Sequence, residues 1–176
     1  MRKTIETKRL ILRPFEIEDA EAMFYGWASD KDVTKYLTWN PHKTIDETKE
    51  ILNKWILEYQ KPERLNFGIV LKEDNKLIGG IDVVGYFNGV NGIPVIGYAL
   101  SKNYWNHGYM TEACQALIDY LFSQGYSEIF IDAVKDNISS NKVIQKCGGE
   151  FIKAEYKEFV NRNKTFLVNS YVIKRK

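Results

Sequence analysis

The spacing of apolar positions changes period repeatedly along the chain, and each change marks an element. "RLILRPF" (Arg9–Phe15) alternates charged and apolar residues in part and predicts a strand, closed by Pro14. "EDAEAMFYGWAS" (Glu18–Ser29) repeats Ala20, Met23, Phe24 and Trp27 at helical spacing and predicts a helix. A connector, Asp30–His42, contains Trp39 and Pro41. A second helix is expected over Thr44–Gln60, with Ile51, Leu52, Trp55, Ile56 and Tyr59 as its buried stripe and Pro62 just beyond its end. Thr44 and Glu47 fit a capping box, in which the hydroxyl takes the Glu47 amide and the carboxylate returns to the Thr44 amide.

Three strands then follow in succession: Leu65–Lys72, Lys76–Phe87 after the turn Glu73-Asp74-Asn75, and Ile93–Leu100 after the loop Asn88–Gly92. Their short connections suit antiparallel hairpins. A helix is expected over Met110–Gln124, with Ala113, Leu117, Tyr120 and Leu121 on one face and Gly125 at its C-terminus. A strand at Ser127–Val134, a helix within Asn137–Gly149, and strands at Glu150–Val160 and Thr165–Ile173 complete the chain. The order β-α-α-β-β-β-α-β-α-β-β defines an α/β fold (an α+β mixed sheet) in one domain, residues 1–176.

Composition narrows the function classes. With 25 basic and 23 acidic residues the net charge is +2, which offers no basic footprint for a nucleic acid. No apolar run approaches the roughly 20 residues of a membrane helix. The start, Met-Arg-Lys-Thr-Ile-Glu, lacks the apolar segment of a secretory signal, so a cytoplasmic location is expected. The two cysteines, Cys114 and Cys147, fall in helical patterns and support neither a disulfide framework nor a metal site.

Candidate chemistry gathers around "YALSKNYWNHGYMTEA". An apolar strand ends, and a loop, Asn103–Tyr109, with no acidic residue opens directly into a helix. A helix N-terminus carries unpaired N–H groups and partial positive charge, and a small residue such as Gly108 lets phosphate oxygens reach them. The alternative is a plain strand–helix turn in which Gly108 takes a positive φ.

Over nearly its full length the chain resembles the GNAT superfamily of acyl-CoA N-acyltransferases. "TKRLILRPFEIEDAEAMF" is similar to the opening of the subgroup that contains bacterial ribosomal-protein N-terminal acetyltransferases. "IGYALSKNYWNHGYMTEA" resembles its acetyl-CoA loop, usually W-G-K-G-Y-A-T-E-A, and "NISSNKVIQKCGG" its N-x-x-S segment. The resemblance implies that acetyl-CoA is the co-substrate. Its pyrophosphate would be held by the backbone of Asn106, His107, Gly108, Tyr109 and Met110, with the Thr111 hydroxyl and Trp105 beside them. Its pantetheine arm would lie along Tyr98, Ala99 and Leu100, wedged where this strand and Ser127–Val134 splay. The Tyr98 amide would then face the thioester oxygen as an oxyanion donor. Trp105 stands where many relatives have Gln or Arg, Asn106 where glycine is usual, and His107 where lysine is usual.

An amine acceptor must lose a proton, since a lysine amine titrates at about 10.4 and an α-amine at about 8. The leaving thiolate benefits from a donor. The resemblance assigns that role to Ser140; as a first-turn residue it is equally suited to satisfying local amides. The tyrosine many relatives use is replaced by Ile144. Asn137 would grip the pantetheine amides or cap its helix. The glutamate often found ahead of the I-G-Y strand is absent, with Pro94 and Val95 there instead. Asp82 is the remaining candidate base; burial would raise its pKa, whereas a solvent-facing strand position would leave it idle. Acceptor candidates are Trp39, His42 and Tyr86, for which core or lid packing is the alternative role, and His42 also suits plain solvation.

The function implied is acetyl-CoA-dependent N-acetylation of a primary amine, on a protein N-terminus or a small molecule, by direct attack in a ternary complex. No metal, membrane or nucleic acid is expected, and the protein would be a monomer or homodimer. The competing reading is a noncatalytic acyl-CoA-binding sensor or scaffold module.

Overall fold

The computed structural model describes residues 3–89 and 92–176. Of the expected loop at 88–92, Val90 and Asn91 lie outside the described residues, as do Met1 and Arg2 at the chain's start. Strands β1 (Ile5–Glu6), β2 (Leu10–Arg13), β3 (Asn66–Leu71), β4 (Lys76–Phe87), β5 (Ile93–Leu100), β6 (Glu128–Val134), β7 (Glu150–Phe159) and β8 (Lys164–Lys174) form one sheet in the order β1-β2-β3-β4-β5-β6-β8-β7. All neighbours are antiparallel except β5 and β6. Helices are α1 (Ala20–Met23), α2 (Lys31–Thr34), α3 (Ile45–Glu58), α4 (Tyr109–Ser123) and α5 (Ile138–Lys146).

The two sides of the sheet have separate cores. Phe15, Ala20, Met23, Trp27, Ala28 and Leu52 pack under α1 and α3. Ile81, Ile96, Ile129 and Ile131 pack with Ala113, Cys114, Leu117 and Leu121 of α4 and with Ile144 and Cys147 of α5. Strand alternation assigns the faces. Ile81 belongs to the α4 side, while a Cβ on the preceding Gly80 would meet the Phe15 ring of the α1 side at 3.0 Å.

Several local expectations need correction. The first helix is interrupted: a single 3₁₀ turn (Ile17–Asp19) precedes α1, and Phe24–Ala28 widens to π geometry, with the Ser29 N–H and Oγ both donating to the Phe24 carbonyl. The connector contains α2, whose N-cap Asp30 accepts from the Asp32 and Val33 amides. The Thr44 cap accepts from the Glu47 amide at 3.3 Å, but the Glu47 carboxylate returns to the Lys43 amide, one residue earlier than expected. Strand β1 is two residues long, too short for an alternation pattern to reveal.

Candidate active site

The site is built around a break in the sheet. Strand β5 pairs with β6 at Val95↔Phe130 and Ile96↔Ile131, and among the described residues the ladder stops there. Beyond that point β6 follows β8 as far as Val134↔Val168, while β5 follows β4 as far as Gly79↔Leu100. The Ser101 N–H donates to the Ile78 carbonyl at 2.8 Å. By alternation Ala99 and Gly97 also face β4, so Tyr98 and Leu100 turn their backbone groups into the split. The Leu100 carbonyl is engaged there by the Trp105 indole at 2.8 Å.

The loop leading into α4 owes its shape to two left-handed residues, Asn106 (φ 63°) and Gly108 (φ 77°). Asparagine tolerates this region better than other side chains, which explains how it can replace a glycine at 106. Gly108 is the N-cap and supplies no side chain to satisfy the first-turn amides of Tyr109, Met110 and Thr111. The His107 ring contacts the Trp105 carbonyl through Nδ1 at 2.7 Å and stacks on Tyr109.

The loop itself carries no acid and the helix has no acidic cap, but Glu112 stands in its first turn. Its charge is matched. Glu112 accepts from Thr7 Oγ1 (2.6 Å), from the Arg9 amide (2.8 Å) and from Arg9 Nε (2.7 Å). Desolvation pushes its carboxyl up, but these bonds outweigh that and hold it below the ordinary range. Arg9 Nη1 also takes the His107 carbonyl at 2.9 Å, and the guanidinium lies over the Tyr109 ring at 4.5 Å. A cation distant in sequence therefore stands beside the loop that lacks its usual lysine.

On the α4 side of the split, the Tyr98 phenol and the Ser140 hydroxyl are 2.9 Å apart. Asn137 caps α5, its Oδ1 accepting from the Ser140 amide at 3.3 Å and from Ser139 Oγ at 3.1 Å. The capping alternative for Asn137 is thus realised in the structure. The buried Asn141, which sequence reasoning did not single out, ties α5 to the sheet. Its Nδ2 donates to the Val134 and Asn137 carbonyls, and its Oδ1 accepts from Asn169 and Tyr171. Thr111 is linked through its carbonyl to Cys147.

Asp82 is on the opposite, α1 face, in a row with Asn66 and Gly97 across three strands. A Cβ on Gly97 would meet Val84 Cγ1 at 2.6 Å and lie 3.7 Å from Asp82 Oδ1, so Val84 fills the space beside the carboxylate that a side chain at 97 would take. Desolvation pushes the Asp82 carboxyl up to about 7, against the opposing pull of the Arg64 charge. The neighbouring Asn66 Nδ2 is buried without a hydrogen-bond partner among the described residues. The half-buried Asp82 is thus not an ordinary solvent-facing strand residue.

The acceptor candidates do not converge. Trp39 packs against the α1-side core and sits 5.3 Å, ring to ring, from His42. His42 is half-buried and bonded to Thr48 Oγ1 at 2.7 Å rather than solvated, and burial lowers its pKa. Arg162 Nη1 fastens this connector through the Thr34, Leu37 and Trp39 carbonyls. Tyr86 packs with the α4-side core, near Tyr126, and donates to the Glu63 carbonyl. The structure does not bring it to Trp39.

Residues 9–150 match the family described as acetyltransferase (GNAT) domain. The uncharacterized N-acetyltransferase p20 of Bacillus licheniformis is 36% identical over 126 residues, covering 69% of this chain and 67% of its own. The uncharacterized N-acetyltransferase YnaD of Bacillus subtilis is 33% identical over 145 residues, covering 82% and 81%. A GNAT-family acetyltransferase from Bacillus anthracis superposes with a TM-score of 0.83 at 29% identity, over 98% of each chain. The microcin C7 self-immunity acetyltransferase MccE, solved with acetyl-CoA and AMP, shares the fold at TM-score 0.85 and 21% identity, over 96% of this chain and 94% of its own. The chain belongs to the GNAT acetyltransferase family, as an N-acetyltransferase. Among the described residues no helix is long and apolar enough to cross a membrane, and no group of three or more His, Cys, Asp or Glu side chains is placed to hold a metal.

Proposed function

We propose that the protein, acting as a single domain over residues 1–176, transfers the acetyl group of acetyl-CoA to a primary amine by direct attack in a ternary complex. The observation that carries this reading is the split between β5 and β6 beyond Ile96↔Ile131, with Asp82 on one face of the sheet and the Tyr98–Ser140 pair on the other. The pantetheine arm would run along Tyr98, Ala99 and Leu100, with the pyrophosphate over the first-turn amides of α4 and Arg9 alongside. The Tyr98 amide would receive the thioester oxygen, a role in which losing one donor typically costs about 10²–10³ in rate. The amine would approach from the Asp82 face, and the thiol would leave on the Ser140 face.

The acceptor is an amine on a protein N-terminus or a small molecule, with Trp39 and His42 at its side of the sheet. We place the enzyme in the cytoplasm, where acetyl-CoA is available. The test is a turnover screen across amine classes, following free CoA thiol against amine-free controls. Amine-dependent thiol release is the expected result. Tight acetyl-CoA binding without turnover on any amine would favour the noncatalytic sensor. Acetyl-CoA at 100 times its dissociation constant should also stabilise the fold by about 2.7 kcal/mol. A melting temperature unchanged by millimolar acetyl-CoA would refute the cofactor assignment.

A further inference from the structure

We propose that the Tyr98 phenol is a positioning residue for acetyl transfer, orienting the Ser140 hydroxyl towards the departing sulfur. This rests on the function proposed above. The relevant geometry is a pair of contacts: Tyr98 OH lies 2.9 Å from Ser140 Oγ, where either hydroxyl can be the donor, and 3.4 Å from the Ser140 carbonyl, which only accepts; the phenol has one proton, and the Oγ contact is the shorter. A phenol is a far stronger acid than an alkyl alcohol and a weaker acceptor, so the phenol donates and the serine oxygen accepts. One serine lone pair is then occupied, and the serine proton is left to point elsewhere.

Without that bond, a first-turn serine has local alternatives. It can rotate to a backbone carbonyl three or four residues earlier, here Asp136 or Asn137. Tyr98 competes with those rotamers from a fixed base. Its ring packs against the α4-side core, and its strand neighbours Gly97 and Ala99 hold β5 to β4 on either side of it. Ser140 is fixed just as firmly, by the Asn137 cap at its amide and by Asn141 on the next residue. The bond thus joins two rigid elements, β5 and α5, across the end of the split. Burial raises the phenol pKa, with the Cys114 and Cys147 thiols adding to the shift and the Ser140 bond opposing it, so Tyr98 remains a donor.

The step balances without a proton leaving Tyr98. The N–C bond forms, the C–S bond breaks, and the electron pair goes to sulfur. The Ser140 O–H hydrogen-bonds to the developing thiolate while the amine proton leaves towards Asp82 or water. Ile144, which replaces the tyrosine of many relatives, is fully buried and has no polar group to offer. The phenol missing from the helix is in effect supplied one strand away, behind the serine rather than in its place.

Tyr98→Phe keeps the ring and deletes only the hydroxyl, so the core under α4 stays filled. It should lower kcat about 10-fold, a coupling within the range of directly bonded neighbours, while CoA affinity by calorimetry stays within about twofold. The decisive readout is the double-mutant cycle. In a Ser140→Ala background, Tyr98→Phe should cost nothing further, because its effect passes through the serine. Losses that multiply would mean the Tyr98 hydroxyl acts independently of Ser140 and would overturn the proposal, as would an unchanged kcat in Tyr98→Phe. All variants are compared with a parent that turns over. A parent that releases no CoA with any amine would instead remove the function proposed above.

Discussion

Asp82→Asn should lower kcat/KM about 10²-fold, at the low end of the 10²–10⁴ that general acid–base catalysis contributes. It should also abolish a rising limb in the pH–rate profile. The parent carboxyl titrates at about 7 because burial disfavours its charged form. Only the carboxylate can accept the ammonium proton, so activity should climb through about pH 7 and flatten above it. Asparagine cannot titrate, and the limb should vanish. Stability moves the other way. An unfolded aspartate titrates at about 3.9, so the folded state binds this proton more tightly. Its stabilising contribution is full below about pH 4 and is lost as pH rises through the folded value of about 7. Asp82→Asn should therefore melt higher than the parent at pH 8 and match it near pH 4. A variant that is less stable at pH 8 and fully active would make Asp82 a structural residue and leave water to deprotonate the amine.

How much of this was legible in the sequence depended on range. Strands β4 and β5 were readable to the residue, because mostly apolar runs bounded by turn residues encode their own ends. Helix α4 was readable to within one residue, since Gly108 and Gly125, at φ 77° and 97°, mark its two ends. The π-widened Phe24–Ala28 was not, because its apolar spacing looks helical and only the Ser29 bonds to Phe24 betray the extra residue. Strand order past β5 was equally hidden: β8 lies between β6 and β7, and no local pattern records that.

The site shows the same division. The loop and the N-x-x-S segment are local motifs and could be found. The pairs that give them chemistry are not local. Arg9 meets Glu112 from 103 positions away, and Tyr98 meets Ser140 from 42. Asp82 carried only a hint, an acid among apolar strand residues. Its elevated pKa comes from burial by surroundings assembled across three strands, where Val84 packs into the space left by Gly97. The Glu112 charge takes its meaning from equally distant partners. Read alone it would repel a phosphate; read with Arg9 and Thr7 it fastens the loop.

Gly108→Val should raise the KM for acetyl-CoA far more than the KM for the amine. Hydrogen bonds to charged groups are worth about 1.5–3 kcal/mol, so losing one phosphate contact predicts a rise of roughly 10–10²-fold. Two effects contribute, and a second substitution separates them. Gly108 has φ 77°, where a β-branched residue is strained. Space for a Cβ exists, since its nearest neighbour would be Arg9 Nη2 at 3.5 Å. The strain is therefore backbone strain, and the further loss is the side chain standing where phosphate oxygens would approach. Asparagine tolerates the left-handed region, and the chain already places it there at Asn75, Asn88, Asn106 and Asn163. Gly108→Asn should keep the melting temperature near that of the parent yet still raise the acetyl-CoA KM. Gly108→Val should do both kinds of damage, with a lower melting temperature as well. The comparison needs only initial rates with each substrate varied in turn and a thermal melt of each variant. If Gly108→Asn binds acetyl-CoA as well as the parent does, the glycine serves the turn alone, and the pyrophosphate must be held elsewhere.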